Sequence, residues 1–282
     1  MSTAPCFILP RQSPGSAEEK AAAQIPSTFQ RLPLEIRSQI YGYIFEPRRV
    51  ELIRRREKDP AKHPKRVYYR LYHNQLRSRH PVTQQIQDPY LKGQHPVPIG
   101  LVFTCRSIYC ETLWWLYSTT QFVFTSTKTM NRFFNIIPEV QPDIRHVEIN
   151  QEMHSEPSLT EHRIHKVRSD WAFTMACENL VKCCSGLRVL YIYFRIRDWP
   201  MNLEIGETWS LPVMAFAEYK GGLDVVNINL DMPRFGPQKL KNMAKTLEKR
   251  FMKPRAFQVR EDEQMARELS CSFMELQVYG TN

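Results

Sequence analysis

Glycine is scarce in this chain, which has 10 glycines among its 282 residues. Glycine-rich phosphate-binding loops, the Gly-x-Ser-x-Gly motif of serine hydrolases and the His-Glu-x-x-His zinc motif are missing from the sequence. These motifs carry the usual sequence arguments for nucleotide binding and hydrolysis. We therefore expect a protein without enzymatic activity, catalytic residues or a cofactor.

Long apolar stretches are missing as well. No run approaches the ~20 apolar residues that cross a bilayer, and residues 6–9 are too few for the apolar core of a secretory signal. The 7 cysteines are odd in number and no Asn-x-Ser/Thr acceptor occurs, which does not fit a disulfide-bonded secreted domain. We expect no membrane association and a cytoplasmic or nuclear location, or both.

Residues 152–165 contain the best candidate for a metal site. His154, His162 and His165 are spaced among glutamates, and imidazole is a common zinc ligand. Pro157 and its serine neighbours interrupt any helix there, so the segment is more typical of a polar surface loop. We predict no metal site.

The net charge of +10 is concentrated in one segment. Residues 47–80 contain twelve Lys or Arg and three Asp or Glu, a balance of +9. The basic patch comprises Arg48, Arg49, Arg54, Arg55, Arg56, Lys65, Arg66 and Arg70. A plain solvated loop is one interpretation. A nuclear import signal, or nucleic-acid contact through residues 48–70 with neighbouring tyrosines for base stacking, are the alternatives.

This basic patch lies in an insert at residues 47–98. Four prolines interrupt its second half, and it shows little periodicity. We expect an irregular insert outside the core, with one short strand at residues 67–72, where aromatic and β-branched side chains dominate.

The chain is organised around a predicted helix at residues 33–45, which Pro33 opens and Pro47 ends. Four apolar residues recur at every fourth position and share one side of this helix: Leu32, Ile36, Ile40 and Ile44. The helix is too short to be stable alone. We expect this apolar row to pack on a second helix at residues 99–117, so that the two form one apolar unit.

Trp114 and Trp115 are neighbours on the second predicted helix. Adjacent helical residues point about 100° apart, so both rings cannot face the same element. We expect one ring in the core and the other under a neighbouring element or at an interface.

The remaining chain alternates helices with short strands. Strands are predicted at residues 122–124, 144–150, 187–194, 223–230, 256–259 and 271–279, with helices between them. Gly186 is expected to end a helix in the left-handed conformation. The pattern predicts an α+β or α/β fold with a mixed sheet, in which helix–strand units stack like degenerate leucine-rich repeats.

Three segments carry a family resemblance. Leu-Pro-Leu-Glu-Ile-Arg-x-x-Ile-Tyr at residues 32–41 resembles the opening of an F-box-like domain of the large fungal kind. Thr-Cys-Arg-x-Ile-Tyr-x-Glu at residues 104–111 and Ile-Arg-His-Val-Glu-Ile at residues 144–149 resemble later parts of the same pattern. The three matches occur in the expected order.

The resemblance implies a protein-interaction module, in the manner of a substrate receptor of a cullin–RING ubiquitin ligase. Its partners would be a Skp-type adaptor and an unknown substrate. Adaptor contacts would fall on Leu32, Pro33, Ile36, Ile40 and Ile44. The three isoleucines cannot fully serve both as core and as docking surface.

The predicted organisation has three parts. Residues 1–28 form a flexible tail, residues 29–137 form the F-box-like region with its insert, and residues 138–282 form an α/β body packed against it or continuous with it.

Overall fold

The computed structural model describes residues 28–58, 67–75, 97–153, 163–197 and 202–279. The strands are β1 (Arg48–Lys58), β2 (Val67–Gln75), β3 (Thr120–Phe124), β4 (His146–Met153), β5 (Val189–Ile196) and β6 (Val225–Asp231). The helices are α1 (Leu34–Ile44), α2 (Ile99–Val102), α3 (Arg106–Thr119), α4 (Thr127–Ile136), α5 (Arg163–Cys183), α6 (Leu211–Met214), α7 (Pro237–Phe251) and α8 (Pro254–Tyr279). Two 3-10 helices occupy Pro138–Asp143 and Ala215–Glu218.

The strands form a six-stranded sheet in the order β2-β1-β3-β4-β5-β6. β2 is antiparallel to β1, while the other five strands are parallel. The predicted α+β or α/β class with a mixed sheet is confirmed. By compactness the chain divides into one unit of Met1–Val147 with Cys183–Gly186 and another of Glu148–Lys182 with Leu187–Asn282.

The start of the insert forms part of the core. β1 pairs with β2 on one side and with β3 on the other, and Val50, Leu52 and Leu71 are buried. The prediction of an irregular insert outside the core is therefore wrong for β1 and β2, although the strand expected at residues 67–72 is confirmed as β2. The apolar residues Val50 and Leu52 alternate with charged ones, so they share one face of the strand.

The predicted helix at residues 99–117 is divided into α2 and α3. The Thr104 hydroxyl donates a hydrogen bond to the Leu101 carbonyl at 2.8 Å, and Cys105 has an extended backbone at the N-cap of α3. A threonine side chain that binds a nearby carbonyl competes with the helical hydrogen bonds. The helix therefore ends at Val102 and begins again at Arg106.

Aromatic rings dominate the core beside β3. Phe122 lies 5.1 Å from Phe133 between ring centroids, and Phe124 lies 5.7 Å from Phe134. One of the helices expected between the predicted strands is α4, and Met130, Phe133, Phe134 and Ile137 in and just after it are buried.

In the second unit a helix packs on a pair of parallel strands. β5 and β6 are parallel, and Phe194 on β5 packs on Phe173 of α5 with 6.0 Å between ring centroids. The strands expected at residues 187–194 and 223–230 are confirmed as β5 and β6. Trp171 on α5 is exposed.

The end of the described chain differs from the prediction. Strands were expected at residues 256–259 and 271–279, but α8 is one helix of 26 residues. Pro254 opens it, and no glycine or proline follows before Gly280, so nothing in the sequence interrupts the helix.

None of the helices among the described residues has the length and apolar character needed to cross a membrane. The predicted tail at residues 1–28 falls outside them except for residue 28.

Candidate protein-docking site

The candidate site is built on α1, which starts one residue later than predicted. Pro33 has ψ near 148° and lies before the first helical residue, Leu34. Its carbonyl accepts the backbone amides of Ile36 and Arg37, each at 3.1 Å. Pro33 thus supplies the first hydrogen-bond acceptor of the helix.

A polar network joins α1 to α3. The Tyr41 hydroxyl donates to Glu111 Oε2 at 2.9 Å, and Arg37 Nη1 lies 3.0 Å from Glu111 Oε1. Ser107 donates to the same Oε1 at 3.3 Å. One carboxylate of α3 therefore holds two residues that are one helical turn apart on α1, and such charge-assisted hydrogen bonds are strong where they are partly buried.

Aromatic packing completes this inward side of α1. Tyr41 and Phe45 are each 1% exposed, and the Tyr41 ring lies 5.8 Å from Phe29 and 6.4 Å from Phe45 between centroids. Burial and the hydrogen bond to Glu111 raise the pKa of Tyr41 to about 12. The side of α1 that faces the core thus includes Arg37 and Tyr41, and Phe45 at the C-cap continues it.

The predicted apolar row is largely left outside. Ile36 is 42% exposed and Leu32 36% exposed, while Ile40 and Ile44 are half-buried. The expectation that this row packs on the second helix as one apolar unit is therefore wrong for Leu32 and Ile36. The polar network of Arg37, Tyr41 and Glu111 forms part of the contact between α1 and α3.

Tyr43 extends the exposed apolar surface of α1. It is 82% exposed and follows Ile36 and Ile40 at the helical spacing i, i+4, i+7. The docking face is defined here as Ile36, Ile40 and Tyr43, with Leu32 preceding it. These residues share one side of the helix, away from Tyr41.

The tryptophan pair of α3 is divided between two environments. A Cβ placed on Gly42 of α1 would lie 3.5 Å from the Trp115 ring, so Trp115 covers α1 at this glycine and is half-buried. Trp114 is exposed, with its ring edge-on to Trp115 at 5.0 Å. Neither ring is fully enclosed in the core.

The basic patch is not one exposed surface. Arg48 and Arg49 are 2% and 3% exposed, whereas Arg54 and Arg55 on the same strand are exposed. Arg56 and Arg70 lie on β1 and β2, and Lys65 and Arg66 fall outside the described residues. The expectation of a solvated loop is therefore wrong at Arg48 and Arg49.

Arg48 has a structural position instead. Its Nη2 donates to the Ile44 carbonyl at 3.2 Å, at the carboxyl end of α1. Burial lowers the pKa of Arg48 from its ordinary value. A cation at this end of a helix stabilises the unpaired carbonyls and the helix dipole.

Within the described ranges, no group of three or more His, Cys, Asp or Glu is arranged to hold a metal ion. Two of the three histidines considered as zinc ligands, His154 and His162, lie outside these ranges. The third, His165, lies on α5.

Glu111 is the site residue that sequence reasoning did not identify. The sequence did contain a signal for the residues that face Glu111 and the core. Arg37, Tyr41 and Phe45 have the same four-residue spacing as the isoleucines. The two rows compete for the core, and the isoleucines are the more apolar. The sequence therefore favoured the isoleucines for the core, whereas Tyr41 and Phe45 are the buried residues.

Comparison with known proteins gives one family. A family model described as Domain of unknown function (DUF7730) matches residues 22–210, more than half of the chain. No curated protein and no solved structure matches the chain. The matched range includes the whole of α1 and α3.

Proposed function

The chain belongs to the family described as Domain of unknown function (DUF7730), and we propose that it is a protein-interaction module whose α1 helix docks a partner protein. One observation carries this proposal. α1 packs on its own unit through Arg37, Tyr41 and Phe45, which leaves Ile36 and Tyr43 exposed. A helix that is fixed on one side and apolar on the other presents a rigid docking surface.

The docking face fits a partner with an apolar groove. Anchors at i, i+4 and i+7 are the usual contacts of a helix that lies in such a groove. Ile36 and Tyr43 provide the two largest exposed contributions, and Ile40 lies between them. Tyr is among the residues that most often contribute strongly to binding, because its ring is large and loses little conformational freedom.

The partner that we propose is a Skp-type adaptor. This choice rests on the resemblance of residues 32–41 to the opening of an F-box-like domain, in which the corresponding helix docks on such an adaptor. The chain would then act as a substrate receptor for ubiquitination and would itself catalyse no reaction. The exposed position of Ile36 supports this proposal, because the helix does not need that residue for its own packing.

The test is the affinity of the full chain for a purified Skp-type adaptor, measured by titration calorimetry. Tyr43→Ala should weaken binding about tenfold or more, as expected for a central aromatic anchor. Trp171→Ala is the matched control, because Trp171 is an exposed aromatic residue on α5. The control should bind as tightly as the wild type.

Two results would contradict the proposal. If the folded wild-type chain shows no binding, the adaptor is the wrong partner. If Tyr43→Ala and Trp171→Ala bind equally well, the docking face of α1 is the wrong surface.

A further inference from the structure

The sheet ends at β6, which pairs with β5 on one side. An edge strand normally presents unpaired amide and carbonyl groups on its other side, and these groups bind further strands readily. In this protein two side chains bind the Val226 carbonyl and the Ile228 amide of β6, and the segment that follows α7 binds Leu223, just before β6.

The first hydrogen bonds at this edge are made by backbone groups, at Leu223 just before β6. The Leu223 amide donates to the Phe251 carbonyl, and the Lys253 amide donates to the Leu223 carbonyl, both at 2.9 Å. Leu223 and Met252 thereby form an isolated parallel bridge. The chain leaving α7 begins as a neighbouring strand would, and then turns into α8 at Pro254.

Further along β6 two side chains continue the same pattern. The Ile228 amide donates to Glu248 Oε1 at 2.8 Å, and Arg260 Nη1 donates to the Val226 carbonyl at 2.6 Å. Arg260 Nη2 also donates to Glu248 Oε2 at 2.7 Å. Glu248 lies on α7 and Arg260 on α8.

These bonds have the donor and acceptor order of a parallel strand. In a parallel ladder, one residue donates its amide to the carbonyl before its partner residue and accepts the amide after it. Asn227 is the residue between Val226 and Ile228. Arg260 therefore supplies the donor, and Glu248 the acceptor, that a strand residue opposite Asn227 would supply.

The pair is held firmly in place. The side chains of Glu248 and Arg260 are 12% and 25% exposed, and the guanidinium of Arg260 lies 5.1 Å from the ring of Phe257, which is buried. A carboxylate and a guanidinium that bind each other and the backbone can remain charged at such a site.

We propose that the Glu248–Arg260 pair substitutes for a strand residue and closes the edge of β6 against pairing with a second copy of this chain. The strand that would otherwise pair with this edge is β6 of a second copy of the chain, because two identical edges related by a two-fold axis can pair in antiparallel fashion without any other partner. The pair thereby keeps an otherwise self-complementary edge from associating.

The test uses the full chain with Glu248→Ala and Arg260→Ala combined. We expect the Ile228 amide to exchange its hydrogen about tenfold faster or more than in the wild type, because a charge-assisted bond is removed. We also expect association that increases with concentration in sedimentation experiments. The matched control combines Glu263→Ala with Arg267→Ala, an exposed pair on α8, and it should behave as the wild type in both measurements.

A second variant keeps the test decisive if the double variant does not fold. Arg260→Lys retains the charge but loses the planar fork that binds two acceptors, so it should also accelerate exchange at Ile228. A folded variant that remains monomeric at all concentrations would overturn the proposal. Faster exchange without association would overturn it too, since the pair would then only hold α8 in place.

Discussion

At the scale of single residues, Glu111 determines which side of α1 faces the core. Its carboxylate accepts hydrogen bonds from Tyr41 and Ser107 and pairs with Arg37, so three donors share one partly buried acceptor group. This arrangement satisfies polar groups that would otherwise be buried without partners, which is costly. Leu32 and Ile36 of the apolar row are exposed to solvent.

The hydroxyl of Tyr41 provides a direct test of this network. Tyr41→Phe removes the donor to Glu111 and keeps the ring, so we expect the free energy of unfolding to fall by about 1.5–3 kcal/mol, the range for a hydrogen bond to a charged group. The measurement is urea unfolding at neutral pH. Tyr43→Phe removes an exposed hydroxyl from the same helix and should leave stability unchanged; an equal loss in both variants would contradict the role of Glu111.

Glu248 gives the fold a specific dependence on pH. Burial raises the pKa of Glu248 above its ordinary value of 4.5, and Arg260 and the Ile228 amide oppose this only in part. A carboxyl with a higher pKa in the folded than in the unfolded state holds its proton more tightly when folded. Its stabilising contribution is therefore full below the unfolded pKa and is lost as the pH rises through the folded pKa.

This sign is testable with Glu248→Gln. The unfolding free energy of the wild type minus that of the variant should increase as the pH falls from neutral towards 4.5. Subtracting the variant removes the contributions of the other titrating groups. A difference that stays constant, or decreases with falling pH, would show that the pKa of Glu248 is not raised.

At the scale of elements, Gly186 illustrates a residue whose role was predicted wrongly. It follows the end of α5 but does not have the positive φ of a left-handed stop, a conformation that Gly206, Gly221 and Gly222 adopt. A Cβ on Gly186 would lie 2.1 Å from the Pro142 carbonyl oxygen and 2.3 Å from Arg145 Nη1. Only glycine permits this close approach of two backbone segments.

Gly186→Ala should therefore lower the free energy of unfolding by about 1–3 kcal/mol, as overpacking of an interior usually does. Gly100→Ala is the control, because nothing lies within 4 Å of a Cβ placed there and Gly100 is in α2. Alanine at this control position should be neutral or slightly stabilising, given its higher helix propensity. Thermal unfolding of the two variants distinguishes them, and equal melting temperatures would contradict the close approach.

Amphipathic elements were predictable and charged ones were not. In α7, Leu240, Ala244, Leu247 and Phe251 are buried as their helical spacing predicts. β1 was missed because its arginines suggested a solvated loop, although Val50 and Leu52 alternate as strand residues do. α8 was missed because Phe257 and Val259 are residue types that favour strands. The evidence for a helix is the lack of glycine and proline between Pro254 and Gly280, which is visible only over the whole segment.

At the scale of the whole molecule, the sheet order explains why the class was predictable and the topology was not. Helices between strands indicate parallel pairing, and β5 and β6 follow that rule. The position of β1 between β2 and β3 depends on contacts between segments far apart in sequence. The periodicity of a short sequence segment does not indicate which distant segment it pairs with.

α1 packs through Tyr41 and leaves Ile36 exposed, and the most direct test of this arrangement is the free energy of unfolding of Ile36→Asp in the full chain. We predict a value within about 0.5 kcal/mol of the wild type, because Ile36 is exposed and an acidic residue in the first turn of a helix is favourable. A loss of several kcal/mol, as for a carboxylate buried without a partner, would show that Ile36 belongs to the core and would contradict the account.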